Sequence, residues 1–133
     1  MRTFPYVALV LLTITAATIF AACGSDTITN PSQIIFPESG VSFGRQVLPL
    51  FEFTCNDSGC HNELDQAGGV SLASYFQLFQ RPGLVRPGDS TGSVLGQIVS
   101  GRLPHLTVPI SLILTENQRH GIQVWIQEGA SNN

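Results

Sequence analysis

Thr54-Cys55-Asn56-Asp57-Ser58-Gly59-Cys60-His61 sets two thiols five positions apart and places an imidazole directly after the second. Sulfur and imidazole nitrogen are the side-chain donors that hold transition metals, and thiols also form covalent links. This stretch therefore decides what kind of core the chain is built around, and three chemistries use such a set. Cys55 and Cys60 can close a disulfide in an oxidising compartment, leaving His61 an ordinary surface residue. With His61 and a distant His105 or His120 they supply enough ligand types for zinc, although the tight second pair of a strong zinc signal is missing. Finally, C-x4-C-H is a widened form of C-x-x-C-H, the signal for covalent haem attachment, in which two thiols add to the macrocycle and the adjacent His ligates the iron. Ser58-Gly59 makes the two extra residues easy to loop out, because glycine accepts a positive φ.

Outward from this stretch the pattern is helical. Upstream, Ser42 is a suitable N-cap for a helix in which Phe43, Val47, Leu48 and Phe51 recur near a helical period, and Pro49 should end or kink it. Downstream, Gly68-Gly69 forms a turn into a short amphipathic segment, Ala73 to Gln80, which Arg81-Pro82-Gly83 stops. Ser90 or Ser93 can cap a further helix through Val94, Leu95, Ile98 and Val99, with Gly101 at its end. Arg102 to Leu114 holds two prolines and no period, and reads as a loop that covers something. Thr115-Glu116-Asn117-Gln118 has the form of a capping box and opens a helix to about Glu128, with Gly129 as C-cap and Ile122, Trp125 and Ile126 as its buried stripe. His120 falls opposite that stripe and is expected in solvent. No stretch alternates as a strand does, so the expected class is all-α, a small domain of about three to five helices.

The front end is of a different kind. Arg2 precedes an uncharged run, Val7 to Phe20, which has the form of an export signal and is too short for a bilayer span of about 20 apolar residues. The run closes on Phe20-Ala21-Ala22-Cys23-Gly24, which resembles the lipobox of bacterial lipoproteins, with Phe20 where Leu is usual. That resemblance implies lipidation of Cys23 and an exported, lipid-anchored, periplasm-facing protein, and Gly24 after the cysteine favours the outer membrane. Gly24 to Gly40 mixes Gly, Ser, Thr, Asn and Pro around a single apolar patch. The expected organisation is therefore a lipoprotein signal peptide (1–22), a flexible tether (23–41) and one domain (42–130).

Composition narrows the partners. The chain is 43% hydrophobic and only 11% charged, which argues against charge-rich disorder. It has no lysine, and removing Arg2 with the signal leaves five Arg against nine acidic residues, so nucleic acid is not an expected partner. No Ser/His/Asp set or paired acids near a second His suggest an enzyme.

An ordered series of fragments extends the haem reading. Phe43, Val47-Leu48-Pro49-Leu50-Phe51 and Cys55 are followed by Gly59-Cys60-His61 and Gly68-Gly69-Val70-Ser71-Leu72. Then come Val85-Arg86-Pro87-Gly88-Asp89 with Ser93 and Leu95, Leu103-Pro104, and Trp125-Ile126-Gln127-Glu128-Gly129-Ala130. In this order, over Ser42 to Ala130, the chain resembles the small single-haem cytochrome c domains of the planctomycete type. The resemblance implies a class I cytochrome c-like fold, in which the first and last helices cross around one covalent haem c. It implies thioethers at Cys55 and Cys60, His61 as proximal ligand, and one-electron transfer with protein partners rather than enzymatic turnover. Arg81, Arg86 and Arg102 fall in segments that the family places near the haem edge, where they could meet its propionates.

A domain of this size buries too little surface to be comfortably stable alone, and a macrocycle would supply core. Phe43, Phe51, Phe53, Tyr75, Phe76, Phe79 and Trp125 could wall a haem or simply form the core. One departure from the family is sharp: Leu103-Pro104 stands where it has Met-Pro, and the only methionine is Met1. His105, two residues on, is the expected distal ligand, because residues two apart in an extended loop point the same way. The reading from a different class is a non-redox exported lipoprotein, a structural or binding module closed by a Cys55–Cys60 disulfide.

Overall fold

The computed structural model describes residues 27–133, so the expected signal segment and the lipidation at Cys23 lie outside the described residues. Among the described residues the regular elements are helices and helical turns, with no strand, in keeping with the all-α expectation. They are α1 (Leu48–Thr54), α2 (Tyr75–Leu78), α3 (Val94–Val99), α4 (Ile110–Ile113) and α5 (Glu116–Gln127), with 3-10 turns at Pro31–Gln33 and Ala67–Gly69.

The longest of these, α5, forms for local reasons that the sequence states. The Thr115 hydroxyl accepts from the Gln118 N–H, and the Gln118 side chain returns to the Thr115 N–H, so two orphan donors of the first turn are satisfied reciprocally. Gln118, Gly121, Ile122, Trp125 and Ile126 are its buried stripe, at helical spacing, and Ile122 and Ile126 are fully buried. His120, off the stripe, is exposed as expected.

The first helix does not break at Pro49. Ser42 caps a single π-helical turn, Phe43–Val47, which passes directly into α1, with Pro49 in the first turn of the new helix. Proline needs no hydrogen-bond acceptor there, and the wide turn before it relieves the clash with the preceding carbonyls. Phe43 from this turn meets Trp125 of α5 with ring centres 5.6 Å apart, and Tyr75 edge-on at 5.3 Å. The first and last helical segments thus share one aromatic centre, and α3 packs against α5 beside it.

Residues 27–41 differ from the flexible tether expected for 23–41. From Ile28 onward they form a strap laid on the helical body. Ile34, Phe36 and Val41 are buried, and Ile28 packs against the same core. The backbone of the strap is satisfied by side chains of α5 and its C-cap. Asn117 accepts from the Phe36 N–H at 2.8 Å and donates to the Phe36 carbonyl at 2.9 Å. The Gln118 amide donates to the carbonyls of Pro31 and Ile34, and the Glu128 carboxylate accepts from the N–H groups of Gly40 and Val41. Gly121 is what lets the strap approach: a Cβ there would lie 2.2 Å from the Phe36 ring.

The stretch 102–114, expected to be a loop throughout, contains the one-turn helix α4, which Pro109 precedes. Of the aromatic residues considered for a haem wall, Phe43, Phe51 and Trp125 are buried core, whereas Phe53 and Phe76 are exposed.

Candidate functional site

The C-x4-C-H stretch begins where α1 ends. Cys55 is the C-cap and its N–H donates to the Phe51 carbonyl. The Thr54 hydroxyl lies 2.6 Å from the Leu50 carbonyl and 3.2 Å from the Cys55 sulfur. Its one hydrogen goes to the carbonyl, so the Cys55 thiol is the donor to Thr54. Burial pushes the Cys55 thiol above its ordinary range, and the nearby Cys60 and Asp57 push the same way. Both cysteines are free thiols.

Beyond Cys55 the chain turns back on itself. Cys60 N–H donates to the Asp57 carbonyl, and Gly59 takes a φ of 78°, the left-handed conformation that glycine adopts at no steric cost. His61 N–H then donates to the Cys55 carbonyl at 2.9 Å, so the five intervening residues are looped out and Cys55 and His61 share a backbone contact. Asp65 holds the loop from outside, accepting from the Gly59 N–H and from the Asn62 amide, both at 2.7 Å. Those two hydrogen bonds, the Gly59 one first, hold its carboxyl below the usual range.

His61 is fixed at both ends. Its carbonyl accepts from the Leu72 N–H, and its ring Nδ1 lies 3.2 Å from the Val70 carbonyl. His105, in the segment between α3 and α4, is held the same way, with Nδ1 3.0 Å from the Val108 carbonyl and 3.4 Å from the Thr107 hydroxyl. The two rings come together with centres 5.9 Å apart and planes at 69°. A carbonyl only accepts, so each Nδ1 carries the hydrogen, and Nε2 is the nitrogen at which each ring can offer a lone pair. Neither Nε2 has a hydrogen-bond partner among the described residues.

This arrangement can be tested against metal chemistry. The separation alone suits a plain edge-to-face ring contact. Two imidazoles facing each other across one metal, each nitrogen about 2 Å from it, also have ring centres roughly 6 Å apart. Anchoring Nδ1 on a backbone carbonyl is how proteins fix metal-binding imidazoles, and here it occurs on both rings. Among the described residues no group of three or more His, Cys, Asp or Glu side chains could hold a metal ion, so the zinc set considered from the sequence is not assembled. His120 is instead 3.8 Å from Glu38 on the surface. A porphyrin brings four nitrogens of its own and asks the protein only for axial donors.

The apolar surface points to the same region. Of the eight large hydrophobic side chains exposed among the described residues, six lie in the two segments that carry the imidazoles or in the helices directly beside them: Phe53, Leu64, Leu103, Leu106, Val108 and Leu112. Exposed apolar residues concentrated this way fit a large apolar group between the segments. Leu103, two residues before His105, is 38% exposed and offers no lone pair. Arg81 donates to the Gly68 carbonyl and Arg102 to the Thr91 carbonyl and the Ser100 hydroxyl, so both are partly committed to the protein itself.

Several groups that shape this site carry no sequence signal. The Val70 and Val108 carbonyls are backbone atoms, and Asp65 and Asn62 look like ordinary surface polar residues until the loop is folded. Comparison of the chain with protein-family models, curated proteins and solved structures returns no match to any of the three.

Proposed function

We propose that the protein is a monohaem c-type cytochrome, lipid-anchored through Cys23 on the exported side of a bacterial membrane, passing single electrons between protein partners. The observation that carries the reading is the pair of imidazoles, His61 and His105, each with Nδ1 tied to a backbone carbonyl and their rings 5.9 Å apart. Cys55 and Cys60 would hold the haem covalently, each thiol adding across one vinyl group with sulfur on one carbon and hydrogen on the other. His61 would be the proximal ligand and His105 the distal one. Bound haem supplies reversible one-electron chemistry at its iron.

The chain's own contribution is rigidity and polarity. Val70 and Val108 keep both rings in one tautomer, so neither has to turn when the charge at the site changes. Leu103, in place of methionine, leaves imidazole as the donor, which favours a lower potential than a His/Met pair. The low charge of the chain favours short-range encounters that depend little on salt.

Mass spectrometry of the chain, expressed with the cytochrome c maturation machinery, tests the reading. One haem should be added, with Cys55 and Cys60 both blocked. A haem-free mass with the two cysteines joined as a disulfide would instead support a non-redox lipoprotein.

A further inference from the structure

The strap on α5 bears on where the domain can work. Had residues 23–41 been free, the anchor at Cys23 and the first fixed residue, Ser42, would be nineteen residues apart, a reach of up to about 68 Å. Instead the chain is fixed from Ile28 onward. Ile28 packs on the core, and the Thr29 and Asn30 N–H groups donate to the Gln33 side chain. The Asn117, Gln118 and Glu128 bonds then hold the rest of the strap. From Cys23 to Ile28 is five residues, which span at most about 18 Å in any conformation.

We infer that the strap is a leash-shortening device: it holds the domain against the face of its own membrane, so its electron-transfer partner is one held in or on that same membrane. A partner diffusing in the surrounding compartment gains nothing from the strap. A membrane-held partner gains effective concentration, because a short leash confines the domain to a thin layer in which that partner is always within reach. Besides the apolar side chains it lends to the core, the strap is held by three α5-side anchors, Asn117, Gln118 and Glu128, which satisfy backbone groups of a segment whose Gly, Ser, Asn and Pro content would otherwise leave it free. The inference rests on the proposed lipid anchor at Cys23.

Neutron reflectometry of the lipidated full chain on a supported bilayer tests it. The domain layer should begin within about 18 Å of the headgroups. Two variants should move it outward: Asn117→Ala/Gln118→Ala/Glu128→Ala, which frees the strap, and a twenty-residue Gly-Ser insertion after Gly24, which lies ahead of the strap and alters none of its residues. If the triple variant does not fold, the insertion and the wild-type distance decide. On vesicles, the insertion should also slow electron exchange with a ferrocene-headgroup lipid several-fold and leave exchange with dissolved ferrocyanide unchanged. A wild-type domain standing beyond the reach of the leash, or equal exchange rates with and without the insertion, overturns the inference. Protein absent from the bilayer altogether fails at the anchor, and is told apart by a Cys23 that carries no lipid.

Discussion

His61 and His105 each give one ring nitrogen to a backbone carbonyl and keep the other free. If both free nitrogens bind one haem iron, the wild type is low-spin in the ferric state, and His105→Ala should turn that spectrum high-spin and open the reduced iron to carbon monoxide. A wild type that is already high-spin, or a variant still six-coordinate through an internal ligand, would remove His105 from the site. Asp65 makes a prediction of the opposite chemical kind. Its carboxyl is held below the ordinary range by the Gly59 N–H and the Asn62 amide, so its grip on the loop is complete above the unfolded value of about 3.9. That grip is lost as pH falls through the lower folded value. Protection of the Gly59 amide, taken relative to its intrinsic exchange rate, should therefore persist through the ordinary aspartate range in the wild type and fall only below it, while Asp65→Ala should show little protection at any pH.

At the scale of elements, legibility follows how local the cause is. The cap and stripe of α5 are readable because Thr115, Gln118, Ile122, Trp125 and Ile126 lie within three turns of one another, and α3 is readable from Ser93 and its apolar spacing. The strap is not, because its composition is that of a linker and its hydrogen-bond partners lie more than eighty residues away. The helix α4 is a single turn, too short to show a period. At the site, both imidazoles could be picked out as separate candidates, but their pairing depends on how the segment after α3 folds over the Cys loop. Gly121 gives the strap its own test. Gly121→Ala puts a methyl group where the Phe36 ring lies, and such overpacking should cost about 1–3 kcal/mol. Urea unfolding should show the loss, and the Phe36 amide should lose protection from exchange first. An unchanged midpoint would mean that the strap is not packed on α5 in solution.

The whole molecule is small for the surface it must hide. Its core gathers around Phe43, Phe51, Trp125 and the α5 stripe, while the segments around His61 and His105 keep Phe53, Leu64, Leu106 and Leu112 in water. Covering even two such side chains is worth about 3–6 kcal/mol, and each kcal/mol raises Tm by about 4–8 °C in a domain of this size. The haem-loaded protein should therefore melt at least about 12 °C above the haem-free chain. Only the haem-free chain should bind a dye for exposed apolar surface. Equal melting temperatures would show that those side chains are covered by something other than haem.

The π-turn at Phe43–Val47 has a consequence for how the gene can change. Such a turn is an α-helix that has taken in one extra residue. Deleting Gln46 would let the segment close as ordinary helix and leave the residues on either side nearly in phase, because five residues of the wide turn cover about the same rotation as four of an α-helix. The same closure would bring the preceding carbonyls back against the Pro49 ring. Length and proline are thus coupled: closing the wide turn as ordinary helix sets the Pro49 ring against the backbone before it, so shortening the segment calls for replacing Pro49 as well.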